Sequence, residues 1–452
     1  MNLDRAQPPA CGAVRPFEFP AAQRSRLASG LDVIVAPYGE LPVVTAGLIL
    51  DAGAERDPAG QAGLAHLTAA ALETGTATLD AADLAWKLEQ LGIDLHIEAG
   101  WDAAAARITV PAHRLEPAAA LFADILRRPS FPESEIRRLR DEQLADLLQR
   151  RKEPRALAND MAARFIFGRD GVYARPLIGT AAEVEEIERG AAVAFHRSYY
   201  VPAGAALLLV GAVDAAAAER LAARHFADWS GTKPQGAEFA VRSPVEKTAV
   251  FVVDRPGAVQ SEIRIGQVGL PRSHRDYFAV LVMNTLLGGA FTSRLNMSLR
   301  ERHGFTYGAR SSFGFRRRPG PFLVQVAVAT DVTAAAVREA LREIAELRDS
   351  GPTDQEVADA RDYLAGVMPL QLQTTDQLAA RFADIVVYDL PLDYFGTYGA
   401  RILAVRADDV RRVAREHLRP DRFAIIVVGD AGSIHDPLIQ LGVGPVEVHG
   451  AD

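Results

Sequence analysis

The sequence is poor in cysteine. Its 452 residues contain a single one, Cys11. The chain alone therefore cannot form an intrachain disulfide, a zinc site built on several thiolates or an iron–sulfur cluster. A small secreted scaffold held together by disulfides is excluded as a class.

Long apolar segments and an excess of basic residues are also missing. The longest apolar runs, such as 204–213, fall well short of the ~18 residues that a membrane span needs. Residues 1–20 include Asp4 and several prolines but no apolar core, which does not match a signal peptide. The net charge of −8 argues against a general nucleic-acid or membrane-surface binder. We expect a soluble, cytoplasmic protein, with a periplasmic location left open.

What the sequence does contain is a weak internal repeat. Apolar residues make up 49% and charged residues 24% of the chain, as in ordinary folded proteins. Segment 195–214 is similar to 413–432, and segment 86–95 is similar to 298–307, at spacings of 218 and 212 residues. A period near 215 residues is too long for a solenoid and fits two tandem domains.

The repeat predicts an α+β protein of two tandem homologous domains. Strand-like and helix-like stretches occur in clusters, which favours a mainly antiparallel sheet in each domain with helices on one face. The predicted division of the chain is an N-terminal arm (1–20), an N-terminal domain (21–230), a linker (231–246), a C-terminal domain (247–441) and a tail (442–452).

Common catalytic motifs are absent, but one segment stands out. There is no Walker A, G-x-S-x-G, H-E-x-x-H or helix-opening G-x-G-x-x-G pattern. Residues 51–76 read DAGAERDPAGQAGLAHLTAAALETGT: a strand end, a glycine-containing turn, and a helix that opens G-L-A-H and closes E-T-G-T. This segment resembles the active-site helix of the inverzincin metallopeptidases, the family of pitrilysin and the mitochondrial processing peptidases.

The resemblance implies a degenerate zinc site. In the family, two histidines four residues apart bind zinc, and a glutamate beside the second histidine is the general base. His66 keeps the first histidine, whereas Ala69 stands at the glutamate and Ala70 at the second histidine. Asp146 takes the position of the third ligand, a glutamate in the family. The resemblance thus implies that this chain holds no catalytic metal and cleaves no peptide alone.

The second half resembles a different part of the same family. Residues 287–313 contain a Gly-Gly turn, S-R-L, R-E-x-x-G and a following strand with tyrosine, which is similar to the Arg/Tyr motif of the family's second domain. The family's arginine and tyrosine correspond to Arg300 and Tyr307, and Gly304 is predicted to end the helix between them. The resemblance implies that this pair donates hydrogen bonds to a peptide carbonyl or a developing oxyanion.

Together these resemblances imply a non-catalytic subunit of a bacterial heterodimeric zinc peptidase. The chain itself would carry no cofactor, and zinc would belong to a homologous catalytic partner. The substrate would be a peptide or small unfolded protein bound in extended form. Two alternatives stay open: a purely structural or binding subunit, like the core proteins of respiratory complexes, and a stand-alone peptidase with a displaced zinc site.

Each candidate residue also has a purely structural interpretation. His66 is then a core histidine, and Asp146 forms a surface ion pair with neighbouring arginines. Arg300 would pair with neighbours of Glu301 or with Glu246, and Tyr307 would be a core aromatic. The run FRRRPGP at 315–321 is predicted to be a solvated loop rather than a binding patch.

Overall fold

The computed structural model describes residues 12, 18–233, 235–236 and 238–450 of the chain. Cys11, most of the predicted arm and the last two residues of the predicted tail lie outside this part. The first sheet contains β1 (Gln23–Arg26), β2 (Asp32–Pro37), β3 (Val43–Leu50), β4 (Asp94–Ala99), β5 (Ala104–Pro111) and β6 (Ala206–Gly211). The second contains β7 (Ala249–Asp254), β8 (Gln260–Val268), β9 (Ala309–Phe313), β10 (Pro321–Ala329), β11 (Ala424–Gly429) and β12 (Val446–His449).

The two sheets share one strand order. The first runs β1-β2-β6-β3-β5-β4 and the second β12-β7-β11-β8-β10-β9. From the second strand of each order onward, the strands of the two sheets correspond one to one. In both sheets a parallel pair, β2 with β6 and β7 with β11, is followed by antiparallel pairs. The predicted α+β fold of two homologous, mainly antiparallel domains is confirmed.

Sixteen α-helices are found in the described residues. Those of the first half are α1 (Leu64–Ala71), α2 (Ala81–Leu91), α3 (Leu115–Arg127), α4 (Glu133–Lys152), α5 (Pro154–Phe167), α6 (Ala181–Glu185), α7 (Arg189–Tyr199) and α8 (Ala215–Phe226). Those of the second half are α9 (Tyr277–Asn284), α10 (Arg294–Asn296), α11 (Thr333–Asp349), α12 (Asp354–Val367), α13 (Thr375–Val387), α14 (Tyr394–Leu403), α15 (Ala407–His417) and α16 (Ala431–Gln440).

In each half, one helix packs on the sheet of the other half. Most helices of a domain cover one face of its own sheet, as predicted, and enclose its main core. The opposite face of the second sheet packs on α5 of the first half, and that of the first sheet packs on α13 of the second half. The central strands β6 and β11 are consequently buried on both faces, which explains their unbroken apolar sequences.

A repeated helix end places the Arg/Tyr segment. Helix α2 ends at Gly92, whose φ is +63°, immediately before β4. In the second half α10 continues as a π-helix (Met297–Arg302), and Gly304, with φ of +64°, turns the chain toward β9. Such left-handed ends favour glycine. This geometry agrees with the similarity of 86–95 and 298–307, and it confirms that Gly304 ends the helical segment.

The prediction of a solvated loop at 315–321 is wrong, because this loop joins the two halves. The Nη1 atom of Arg317 lies 2.6 Å from a carboxylate oxygen of Asp51 and 3.4 Å from Glu55. Its backbone N–H lies 3.2 Å from Asp102. These carboxylates belong to the first half, so their attraction compensates the hydration that the loop loses.

Aromatic side chains of the first half complete this contact. The guanidinium carbon of Arg316 lies 4.5 Å from the ring centre of Trp101 and 4.2 Å from that of Tyr173. Arg318 donates to the carbonyl of Phe239 and stacks on its ring. Cation–π contacts of this kind are worth most where water is excluded. Burial lowers the pKa of Arg316 to about 10, although Tyr173 and Asp102 oppose the change.

Two further segments differ from their predicted descriptions. The segment 442–452, expected to be a tail, contributes β12, an edge strand that pairs in parallel with β7. The sequence analysis found no apolar run long enough to span a membrane. The helical stretch 277–302 nevertheless has the length and apolar composition of such a span. It is interrupted at 290–293, and 61% of its most apolar window is buried, as expected of a core helix.

Candidate functional site

The framework of the zinc helix is intact. A carboxylate, Asp57, accepts 2.8 Å hydrogen bonds from the backbone N–H groups of Gly63 and Ala65 and so caps the start of α1. Gln143, on α4, donates to the carbonyls of Gly63 and Ile178, which fixes α4 against α1. Burial raises the pKa of Asp57 to about 6, although the two backbone donors oppose the rise.

Two of the three ligand positions lie near each other. His66 is half-buried on α1, and Asp146 projects from α4 close enough to act on its charge. Burial lowers the pKa of His66, and the Asp146 carboxylate opposes this. Ala69 is buried and Ala70 half-buried, and neither methyl group can bind metal or move a proton. One histidine and one aspartate do not make the three protein ligands of a catalytic zinc site, so these residues do not fit the ion.

Another group of metal-competent side chains lies in the second half. Among the described residues, ligand atoms of His274, Asp276 and His417 lie within 4.8 Å of one another. The carboxylate of Asp276 is already bonded to Arg412 at 2.7 Å and to His417 at 2.8 Å, and His274 Nδ1 accepts the Asp276 N–H. These bonds, Arg412 first, hold the pKa of Asp276 well below its usual range. The group is therefore a satisfied ion-pair cluster.

Tyr307 is presented to solvent at the tip of a turn. Its side chain is 98% exposed, which excludes the core-aromatic interpretation. Thr306 Oγ1 hydrogen-bonds both the N–H and the carbonyl of Gly308, so the turn closes around Tyr307. Buried Asn296 accepts the N–H of Ala309 at 2.9 Å and thereby ties the helix to the start of β9. The fold thus leaves the apolar ring of a large side chain in water, so the ring adds nothing to the buried area of the chain.

Arg300 lies in the π-helical segment Met297–Arg302, which precedes this turn. Such segments are rare and are frequent at functional sites. The guanidinium carbon lies 4.3 Å from the ring centre of Phe291, itself 66% exposed. Its Nη1 lies 3.0 Å from a Glu301 oxygen without the alignment of a hydrogen bond. No ion pair of Arg300 with Glu246 is found among the described residues, and the contact with Glu301 leaves donor capacity unused.

Phe291 and Tyr307 form part of the wall of a cleft of about 400 Å³. Three arginines that the sequence analysis did not single out also line it: Arg155, Arg264 and Arg310. Strand pairing brings Arg264 on β8 and Arg310 on β9 to one side of the sheet, and the packing of α5 on that sheet adds Arg155. Their sequence separation leaves no local signal from which the cleft could have been inferred.

Comparison with known proteins agrees with the two-part resemblance. Residues 34–181 match the family model described as Insulinase (Peptidase family M16), and residues 186–364 match the model described as Peptidase M16 inactive domain. The chain is 25% identical over 421 residues to an uncharacterized zinc protease of Mycobacterium tuberculosis, covering 91% of this chain and 94% of the relative. It is 23% identical to a non-peptidase homolog from Helicobacter pylori, covering 86% and 90% of the two chains.

Solved structures show the same fold. A peptidase M16 inactive domain from Pseudomonas fluorescens superposes with a TM-score of 0.84 at 28% identity, over 90% of this chain and 98% of the other. A protease from Helicobacter pylori gives a TM-score of 0.83 at 20% identity, over 90% and 99%. With both halves matched and the zinc-helix framework and Arg/Tyr segment in place, the chain belongs to the M16 peptidase family.

Proposed function

We propose that this chain is the non-catalytic subunit of a heterodimeric zinc metallopeptidase that cleaves peptides or small unfolded proteins. The observation that carries the proposal is the contrast between the two halves. The zinc motif holds His66, Ala69 and Ala70. In the second half, by contrast, Tyr307 is exposed at a cleft whose wall includes Phe291, and Arg300 packs on the Phe291 ring. A homologous partner would supply the zinc ion, which activates the attacking water.

The roles of the two residues follow from their chemistry. The Tyr307 phenol is a single O–H donor that can rotate toward a peptide carbonyl outside the chain. Arg300 adds a permanent positive charge, which stabilises the oxyanion that develops on that carbonyl. The edge strand β9 follows directly and lies at the end of its sheet order, so its free backbone edge suits an extended peptide.

Two alternatives make different predictions. A purely structural subunit needs no exposed donor pair, and substitution of Arg300 or Tyr307 would then leave peptide cleavage unchanged. A stand-alone peptidase needs a metal site elsewhere in the chain. The His274–Asp276–His417 group is the candidate for it, but Arg412 already uses the carboxylate.

The test is peptide cleavage by this chain alone, by a homologue with an intact zinc motif alone, and by both together. We expect cleavage only from the mixture. Within the mixture, Arg300→Ala and Tyr307→Phe should each lower kcat by about tenfold or more, in the direction known for lost oxyanion donors. Arg302→Ala and Tyr363→Phe are matched controls, because both side chains are exposed and lie outside the cleft.

The outcomes separate the three hypotheses. Unchanged kcat in both variants of the pair would favour the structural subunit. Zinc-dependent cleavage by this chain alone would favour the displaced site and would refute the proposal.

A further inference from the structure

The cleft beside Tyr307 contains a row of polar side chains that crosses the second sheet. Arg264 on β8 is paired with Gln325 on β10, and Gln325 is paired with Arg310 on β9. The Nε atom of Arg310 donates to Gln325 at 2.7 Å. The row therefore leads from the middle of the sheet to its free edge, next to the tyrosine. Arg155, at the start of α5, lines the same cleft.

The innermost arginine of the row is buried and uses most of its donors within the chain. Arg264 is 1% exposed, and its guanidinium donates to Asn159, to Glu262 and to the backbone carbonyls of Ile263 and Arg155. Its charge is compensated by Glu262 at 2.8 Å. Four of its five N–H donors are therefore used within the chain, and Arg264 forms a nearly inaccessible floor of the cleft.

The two outer arginines differ from it. Arg155 and Arg310 are exposed, and in the described part of the chain neither forms an ion pair. Burial lowers the pKa of the Arg264 guanidinium against the opposing effect of Glu262, and the charges of Arg155 and Arg310 lower it further. Among the described residues that line the cleft, Glu262 is the only acidic one, and it is already paired with Arg264. The cleft thus holds two uncompensated positive charges in a chain whose net charge is −8.

We propose that this cleft binds a carboxylate of the substrate, held by Arg155 and Arg310. The inference rests on the proposed function, because Tyr307 would bring the peptide backbone to the same place. Guanidinium groups match carboxylates in shape as well as charge and bind them with two hydrogen bonds. A neutral side chain gains nothing from the two charges, and a basic one is repelled. The chain would therefore select substrates as well as assist the reaction.

The carboxylate can come from two sources. One is a Glu or Asp side chain within a residue or two of the carbonyl that Tyr307 contacts, because an extended peptide advances only about 3.3 Å per residue. The other is the C-terminal carboxylate of a short peptide. Both present the same anion, and the experiment below has an arm for each.

The test is equilibrium binding of fluorescein-labelled peptides to this chain alone, followed by fluorescence anisotropy. Three peptides of about ten residues, suited to an extended site, share one Ala/Ser/Thr background. The first has a central Glu and an amidated C-terminus, the second a central Gln and an amidated C-terminus, and the third a central Gln and a free C-terminus. The variants are Arg310→Gln and Arg155→Gln, with Arg338→Gln as the control. Arg338 is 63% exposed on α11 and does not line the cleft.

We expect the Glu peptide or the free-carboxylate peptide to bind about tenfold more tightly than the amidated Gln peptide, as for hydrogen bonds to a charged group. Arg310→Gln and Arg155→Gln should reduce this ratio, and Arg338→Gln should not. Which of the two peptides is preferred identifies the source of the carboxylate. Equal affinity for all three peptides, absence of binding, or a ratio unaffected by both cleft variants would overturn the inference. Because no partner or cleavage is involved, failure here is distinct from failure of the proposed function.

Discussion

Arg317→Met is the substitution that most directly tests how the two halves are joined. It removes the guanidinium that lies 2.6 Å from Asp51 and 3.4 Å from Glu55, and it keeps an apolar stem of similar length. Removing one member of a buried ion pair costs about 3–5 kcal/mol. Arg317 is 30% exposed and Asp51 retains its bond to Arg56, so we reduce this to about 2–3 kcal/mol of unfolding free energy.

The cost should depend on pH with a definite sign. Burial raises the pKa of Asp51, but Arg56 and Arg317 reverse this, and the folded pKa lies below the usual value. Its bonds therefore stabilise the fold above a pH of ~3.9, and this contribution is lost as the pH falls through the lower folded pKa. Burial raises the pKa of Glu55, and Arg317 moderates that rise. Without Arg317, keeping Glu55 ionised in its buried position costs more free energy. This cost contributes to the destabilisation near neutral pH.

Urea unfolding followed by two signals measures the effect. The three tryptophans, Trp86, Trp101 and Trp229, all lie in the first half, so their fluorescence reports that half, whereas circular dichroism reports the whole chain. We expect Arg317→Met to move the fluorescence transition to lower urea at about pH 7 and to move it less at about pH 3.5. Arg338→Met, on an exposed helix face, should change stability by less than about 0.5 kcal/mol. A loss in Arg317→Met no larger than in the control, or one independent of pH, would refute the reasoning.

Three further predictions test other parts of the structure. Gly63→Ala should lower the free energy of unfolding by about 2–4 kcal/mol in urea. Gly63 has φ of +96°, and a Cβ there would meet backbone and side-chain atoms at 2.6 Å. Gly190→Ala is the control and should leave stability unchanged, because a Cβ there meets open space. Asp276→Asn should lower stability by about 1–3 kcal/mol near pH 7. Because Arg412 holds the pKa of Asp276 down, thermal melts should show this gap closing below a pH of ~4, and a gap constant with pH would contradict it. Ala70→His combined with Asp146→Glu should raise the affinity for zinc above that of the unaltered chain, measured by competition with a chromophoric chelator. No gain would mean that the helix framework is not that of a zinc site.

The sequence predicts what depends on local pattern or on the repeat. The two α+β domains follow from the similarity of 195–214 and 413–432, which contain β6 and β11 at equivalent places in the two sheets. The left-handed end at Gly304 follows from its correspondence with Gly92. In each case a short segment determines its own backbone conformation, so a single sequence carries the information.

Features that depend on distant partners could not be predicted in this way. The apolar faces of α5 and α13 indicate burial, but nothing in them says which sheet they cover, and each packs on the sheet of the other half. The run at 315–321 is predicted to be solvated because three adjacent arginines usually are. Its acidic and aromatic partners lie more than 70 residues earlier in the chain, so only the folded structure reveals the compensation.

The zinc helix and the Arg/Tyr segment differ in how their residues contribute to the stability of the chain. At the zinc positions the losses are structurally harmless, because Ala69 and Ala70 are good helix formers and the caps and cross-links of α1 remain. Tyr307 is the opposite case, since its exposed ring contributes no burial to the free chain. Covering a side chain of this size would contribute about 1.5–3 kcal/mol, and tyrosine is among the residues that most often dominate binding energy at interfaces. Tyr307 therefore offers apolar surface that another molecule could cover, whereas Ala69 and Ala70 at the zinc motif are buried or half-buried.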